Sequence, residues 1–563
     1  MEVARGDCPA DKVFRGGRVI NVFTRSIDET DVAIVGDRIA GIGRYDGAEI
    51  IEMDGAFVAP GFIDAHMHVE STMLPPSGFA ELALPHGTTA AIFDPHEIAN
   101  VLGIPGIRLL LHDAEDVPLD CFFAASSCVP ASPLETSGAV LGVEEIKELL
   151  NERGIIALAE MMNYPGVVHA DAEVLEKVAA GLAHGVVDGH CPELTGSQLQ
   201  AYAAAGISSD HESTHPEEAM EKLAAGLWLY IREGSAARNL EALLPVVSPE
   251  NAHRICFCTD DRHPADLRDQ GHIDHVVRKA IGLGLDPVLA ICMASLHPAV
   301  HFRLPDHGAV GAGRLANLVV FDDLEKPTPR ETWHHGTRVT DWTAPRPGTD
   351  WSTARGTVHL PANLNEQSFR MKGRPGTARV IGLVTGELVT EELRRDAPVD
   401  NGLVVADPDR DLLKIAVIER HGHGGDIGLG LVEGFGLRGG AIASTVGHDA
   451  HNLAVVGDND ADMLIAARAL GEVGGGQCVV ARGEVLAVLP LPIAGLMSDE
   501  LPQEVIEQQR AVLAAAASLG CSHGDPFMPL SFLPLSVIPH LKVSDQGIVD
   551  VDRFQIVDLM VSD

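Results

Sequence analysis

Basic residues are scarce: 41 Lys and Arg stand against 80 Asp and Glu, a formal charge of −39 at pH 7. A field of that sign repels phosphate backbones and anionic lipids. It argues against nucleic acid and membrane surfaces as partners and is indifferent to a small neutral substrate. A disulfide framework is also lacking. The nine cysteines are odd in number and scattered, and Cys256 and Cys258 alternate inside an apolar run like core strand positions. Reduced thiols and a cytoplasmic location are the expectation. No apolar run approaches the length that spans a bilayer. The opening Met1-Glu-Val-Ala-Arg-Gly-Asp-Cys8 lacks the apolar stretch of a signal peptide. No repeat of fixed period is visible, and no G-x-G-x-x-G follows the first strand of the central region, which argues against a dinucleotide fold.

What is present is a globular composition, 46% hydrophobic, over 563 residues. That length predicts two or three domains. Residues 13–23 and 31–43 read as Gly-broken strands, and a similar pattern returns at Gly313–Asp322. This predicts a small β-sandwich domain, residues 1–58 plus 305–360, split by an insertion. Between its halves, apolar runs at 57–64, 88–93, 119–125, 155–159, 185–189, 206–209, 227–231 and 254–259 alternate with helical stretches beginning at Val143, Ala172 and Ser197. Eight strand–helix units in succession predict an α/β fold, a (β/α)8 TIM barrel over residues 59–304. The Pro-rich stretch 323–362 reads as linker and irregular structure. Residues 363–563, with Gly-dense turns and a helix at 499–519, predict a separate C-terminal α+β domain.

In such a barrel the chemistry sits at the C-terminal ends of the strands. The first strand ends Asp64-Ala-His66-Met-His68, and residues i and i+2 face the same side. The fourth ends in Glu160, the fifth in His190, the sixth in His211 and the eighth in Asp260. One strand-end histidine signifies little; six candidate ligands at one face predict a metal site. Nitrogen and oxygen donors without thiolate suit zinc, manganese or iron(II). The set is too large for one tetrahedral ion with an open position and suits two ions bridged by a carboxylate.

The motif Pro60-Gly-Phe-Ile-Asp-Ala-His-Met-His68 resembles the opening barrel motif of the amidohydrolase superfamily of metal-dependent hydrolases. Further segments resemble the bacterial adenine deaminase family: Val69-Glu-Ser-Thr-Met-Leu, Asp94-Pro-His-Glu-Ile-Ala-Asn-Val, Gly189-His-Cys-Pro, Ser209-Asp-His-Glu, Cys258-Thr-Asp-Asp-Arg-His-Pro and Ala443-Ser-Thr-Val-Gly-His-Asp-Ala-His-Asn-Leu. The resemblance spans nearly the whole chain. It implies a binuclear centre with His66, His68 and Asp260 on one ion and His190 and His211 on the other. Glu160 bridges them, where many relatives use a modified lysine. Manganese is the implied metal, with iron(II) or zinc as alternatives, and a homodimer the implied assembly.

The implied reaction is hydrolysis of adenine to hypoxanthine and ammonia, a step of purine salvage, by a metal-activated hydroxide attacking C6. Asp260 takes the hydroxide proton and passes it to the ring or the leaving ammonia. The H-x-E…P-C-x-x-C pattern of zinc deaminases of another fold is absent. Candidates for substrate contact or support of the ligands are His96, Glu97, Arg232, Ser235 and Asp261, joined by His448, Asp449, His451 and Asn452 of the C-terminal region. On a regular strand the side chain of Asp261 is expected to point away from that of Asp260. Two alternatives stand beside this reading. One is a cyclic-amide hydrolase of the same superfamily, opening a hydantoin-like ring. The other is a non-catalytic barrel scaffold, whose mark is loss of ligands.

Overall fold

The computed structural model describes residues 1–346, 348–384 and 387–561. Eight strands occupy the middle of the chain: β1 (Phe62–Met67), β2 (Thr88–Phe93), β3 (Asp120–Ala125), β4 (Ile155–Met161), β5 (Val186–Gly189), β6 (Ser209–Asp210), β7 (Trp228–Arg232) and β8 (Ile255–Cys258). They run parallel in two arcs, five strands from β1 to β5 and three from β6 to β8. At one seam Ser208 N donates to Val187 O at 3.0 Å; at the other Asp260 N donates to His66 O at 3.0 Å. The strands of a (β/α)8 barrel are thus all present, but their hydrogen-bond ladder is not continuous around the ring.

The strands alternate as burial on both faces requires. Ile63, Ala65, Ala90, Ile92, Ala157 and Ala159 point inward, opposite the larger Trp228 and Tyr230. Phe93, Phe123 and Leu158 point outward, under the helices. The helix Ala172–His184 shows the local logic. Asp171 caps it by accepting from Val174 N at 3.0 Å, and Val174, Val178 and Gly181 form its buried face. A Cβ at Gly181 would lie 2.6 Å from Leu158 Cβ, so the glycine sets how closely this helix packs on β4.

The flanking sheet has eight strands. It draws on both sides of the barrel segment, pairing Leu318–Phe321 with Phe57–Pro60. Hydrogen bonding joins all its strands into one sheet; Ala10–Asn21 pairs along one edge with both Gly47–Glu52 and Phe57–Pro60. Its core includes Phe14, Val19, Ile34, Leu318 and Trp333. The apolar run 57–64 is therefore two strands, not one. The chain changes sheet at Gly61, where a Cβ would sit 2.1 Å from Thr89 Oγ1. The stretch 323–362 is likewise not all irregular: Glu331–His334 and Thr337–Arg338 extend this sheet.

The C-terminal region is built on a second eight-stranded sheet. Helix Asp460–Val473 covers one face through Met463 and Leu470, and helix Pro502–Ser518 covers the other through Val505 and Val512. Met73 and Leu74, which follow β1, share the second core. The region is therefore packed against the functional end of the barrel, and Ser498 N donates to Met73 O at 2.9 Å.

Candidate active site

His66, near the end of β1, and His68, just beyond it, have their rings 5.0 Å apart. Glu160, near the end of β4, lies between the two sides of the site. Its Oε1 is 3.7 Å from His66 Nε2 and 3.4 Å from His68 Nε2, while its Oε2 is 2.6 Å from His190 Nδ1 and 3.4 Å from His211 Nε2. Asp260 Oδ1 is 3.0 Å from His68 Nε2 and 3.8 Å from His66 Nε2. All six proposed ligands converge and are buried. His66 Nε2 has no hydrogen-bond partner although it is fully enclosed. An orphaned imidazole nitrogen facing two carboxylates, in an all-nitrogen-and-oxygen donor set, fits divalent ions.

Supporting groups hold this geometry. His68 Nδ1 is 2.9 Å from Asp94 O, and His66 Nδ1 is 3.3 Å from Asp188 Oδ2. Arg232 Nη1 donates to Asp260 Oδ2 and to Glu212 Oε1. Burial works to raise the Asp260 pKa, but Arg232 and His68 outweigh it and hold the carboxyl well below its usual range. Burial opposes protonation of His190, yet the Glu160 and Glu212 carboxylates raise its pKa to about 9. Asp188 and Glu212 were not singled out from the sequence. Each stands within two residues of a proposed ligand, and only the fold shows which way it points.

A small cavity of about 30 Å³ opens onto these groups. Its wall includes His96, Glu97, Arg232, Asp260, Asp261, His448 and Asp449. The C-terminal region adds an apolar side with Leu388, Phe532, Leu535 and Ile538. His448 stacks on Phe532 at 4.4 Å between centroids, with Nδ1 2.8 Å from Glu97 Oε1. Burial lowers the His448 pKa, but Glu97 more than compensates and lifts it to about 9. His96 bridges to the ligands, with Nδ1 3.7 Å from Glu160 Oε1 and Nε2 3.3 Å from Glu97 Oε1.

Three expectations need correction. Asp261 does not point away from Asp260: both line the cavity, because Asp260 has left-handed backbone with φ 57° beyond the end of β8 and strand alternation no longer applies. Ser235 is not at the cavity; its hydroxyl donates to Asp266 Oδ2 at 2.6 Å and accepts from His263 N at 2.8 Å. The polar cluster at 448–452 is not one unit. His451 lies behind the wall with Nε2 against Glu97 Oε2, and Asn452 donates to Thr136 O at 2.9 Å, joining the C-terminal region to a barrel loop.

Comparison with known proteins agrees with this architecture. Residues 57–344 match the amidohydrolase family, and residues 387–555 match the adenine deaminase C-terminal domain. An adenine deaminase of Desulfatibacillum aliphaticivorans is 46% identical over 561 residues, covering 99% of each chain. Adenine deaminase 2 of Carboxydothermus hydrogenoformans is 44% identical over 561 residues, covering 99% of this chain and 98% of the relative. The chain belongs to the adenine deaminase family of amidohydrolases. The residues matching the family's C-terminal domain include His448, Asp449, Phe532, Leu535 and Ile538, all of which line the cavity. Among the described residues no helix is long and apolar enough to cross a membrane.

Proposed function

We propose that this chain hydrolyses adenine to hypoxanthine and ammonia. One observation carries the reading: the region characteristic of adenine deaminases supplies the apolar and aromatic wall of the cavity that faces the imidazole–carboxylate cluster. A flat, uncharged purine suits that wall, with Phe532 and His448 as a stacking surface. His448, held as a cation by Glu97, suits a ring-nitrogen acceptor.

In this reading His66, His68 and Asp260 hold one divalent ion, His190 and His211 hold the other, and Glu160 lies between them. We take manganese as the resident metal, with iron(II) or zinc as the alternatives that elemental analysis decides. When bound, such ions make a water acidic enough to serve as a nucleophile near neutral pH. Asp260, kept ionised by Arg232, accepts the proton released as the oxygen adds to C6. It returns that proton to the departing amine, so adenine and water become hypoxanthine and ammonia with no other reactant. The chain's division into a split sheet domain, a barrel and a C-terminal domain, and a homodimeric assembly, belong to the same proposal.

The test is ammonia release from adenine, adenosine, guanine and cytosine, with ring opening of hydantoin followed in parallel. Adenine is expected to dominate. Faster opening of hydantoin than deamination of adenine transfers the site to the cyclic-amide hydrolases, and no turnover of any of them favours a scaffold.

A further inference from the structure

A second cluster of metal-ligating side chains lies at the opposite end of the barrel. Asp120 is the first residue of β3, at the end away from the candidate active site. Three imidazoles surround its carboxylate. His307 Nε2 is 3.0 Å from Oδ2, while His334 Nε2 and His335 Nε2 are each 3.1 Å from Oδ1. These residues come from three parts of the chain: the barrel, the segment leaving it, and the hairpin between strands Glu331–His334 and Thr337–Arg338 of the flanking sheet.

We propose that Asp120, His307, His334 and His335 form a structural zinc site that fastens the barrel to the split sheet. Three observations carry this beyond a hydrogen-bonded cluster. First, the spacing fits. Around a tetrahedral zinc with bonds of about 2.0–2.1 Å, ligand atoms lie roughly 3.3 Å apart. His334 Nε2 and His335 Nε2 each lie 3.1 Å from Asp120 Oδ1, and His307 Nε2 lies 3.0 Å from the other carboxylate oxygen, Oδ2. Second, the His334 side chain is only 9% exposed, and its Nε2 has no hydrogen-bond partner despite facing Asp120. That atom is the kind of orphan a metal satisfies.

Third, the outer contacts match those that orient metal ligands. His307 Nδ1 is 2.9 Å from Asp306 Oδ1, which leaves Nε2 for the ion. Asn317 holds two members at once, donating Nδ2 to Asp120 Oδ2 at 2.7 Å and accepting from His335 N at 2.9 Å. Three histidines and a carboxylate form a closed four-coordinate set, which suits a structural role. The His335 side chain is 37% exposed and gives the ion an entry path.

The site stands apart from the deaminase reading and is tested apart from it. Zinc is added to chelator-stripped wild type and to the double variant His334→Gln, His335→Gln. Unbound metal is removed, and retained zinc per chain is measured with the melting temperature. The variant is expected to retain one zinc fewer, and a zinc-dependent rise in Tm present in the wild type is expected to shrink. Adenine turnover after reloading is expected to match the wild type, because the cluster is remote from the cavity. Equal zinc in the two proteins overturns the site, whatever the activity. Should the double variant fail to fold, Asp120→Asn keeps the side-chain shape and carries the same expectation, and equal zinc there overturns it too.

Discussion

Replacing Asp260 by Asn separates fold from chemistry at the centre of the site. The carboxylate makes two kinds of contact. Its Oδ1 faces His68 and His66 at 3.0 and 3.8 Å, and its Oδ2 accepts from Arg232. Asn keeps the volume and one oxygen. Arg232 remains neutralised by Glu212 through both guanidinium nitrogens, so no buried cation is left alone and the barrel is expected to fold. The basic oxygen is lost. General acid–base assistance is typically worth about 10²–10⁴ in rate, and weaker ion binding adds to the loss. A fall in kcat of about a thousandfold is expected, roughly 4 kcal/mol of transition-state stabilisation at 1.36 kcal/mol per tenfold. KM for adenine is expected to move far less, because the substrate wall at Phe532 and His448 is untouched.

The assay is steady-state ammonia release, with metal content measured on the same sample. Asp261→Asn is the comparison. It lines the same cavity but is anchored by Ser71 Oγ at 2.5 Å, and it is Asp260, not Asp261, whose carboxylate lies 3.0 Å from His68 Nε2 at the proposed centre. A loss below about tenfold is expected for it, short of the range for general-base removal. Asp260→Asn keeping kcat within tenfold of wild type at full metal content, or Asp261→Asn falling as far, refutes the assignment.

A chelator is expected to abolish turnover, and His66→Ala or His190→Ala to lower the metal content at the cavity; full activity in metal-free protein contradicts the ligand reading. Phe532→Ala is expected to raise KM for adenine about tenfold or more with kcat changed less, since base–aromatic stacking is worth about 1–3 kcal/mol; an unchanged KM removes Phe532 from the substrate wall. Lys542 tests pH dependence away from the site. Burial lowers its pKa to about 7 from 10.5, and Nζ donates to Leu388 O at 2.9 Å. Between those values the unfolded chain binds the extra proton, so wild-type stability from this group is full above about pH 10.5 and is lost as pH falls towards 7. The melting temperature of Lys542→Met, relative to wild type, is therefore expected to be most favourable near pH 7 and to decline towards pH 10; a pH-independent difference contradicts a buried, neutral lysine.

The convergence of His66, His68, Glu160, His190, His211 and Asp260 was legible in the sequence because each closes an apolar strand-length run, and barrels bring strand ends together. The switch at Gly61 was not, since a continuous apolar run carries no mark of a change of sheet. The orientation of Asp261 was lost for a related reason. Alternation holds only while the backbone stays extended, and it ends where Asp260 turns left-handed. Ser235 sits close in sequence to Arg232, but its hydroxyl serves the start of helix Pro264–Gln270. Leu388, Phe532, Leu535 and Ile538 gave no signal, because apolar residues of a distant region look like core until docking turns them towards a cavity. The Asp120 cluster was hidden in the same way, with its members spread from position 120 to position 335.

The central claim is hydrolytic replacement of the C6 amine of adenine, and oxygen-18 water tests it most directly. Adenine turned over in labelled water should give one ammonia per hypoxanthine, with the label in the hypoxanthine oxygen. Absence of hypoxanthine, or hypoxanthine without the label, contradicts the account.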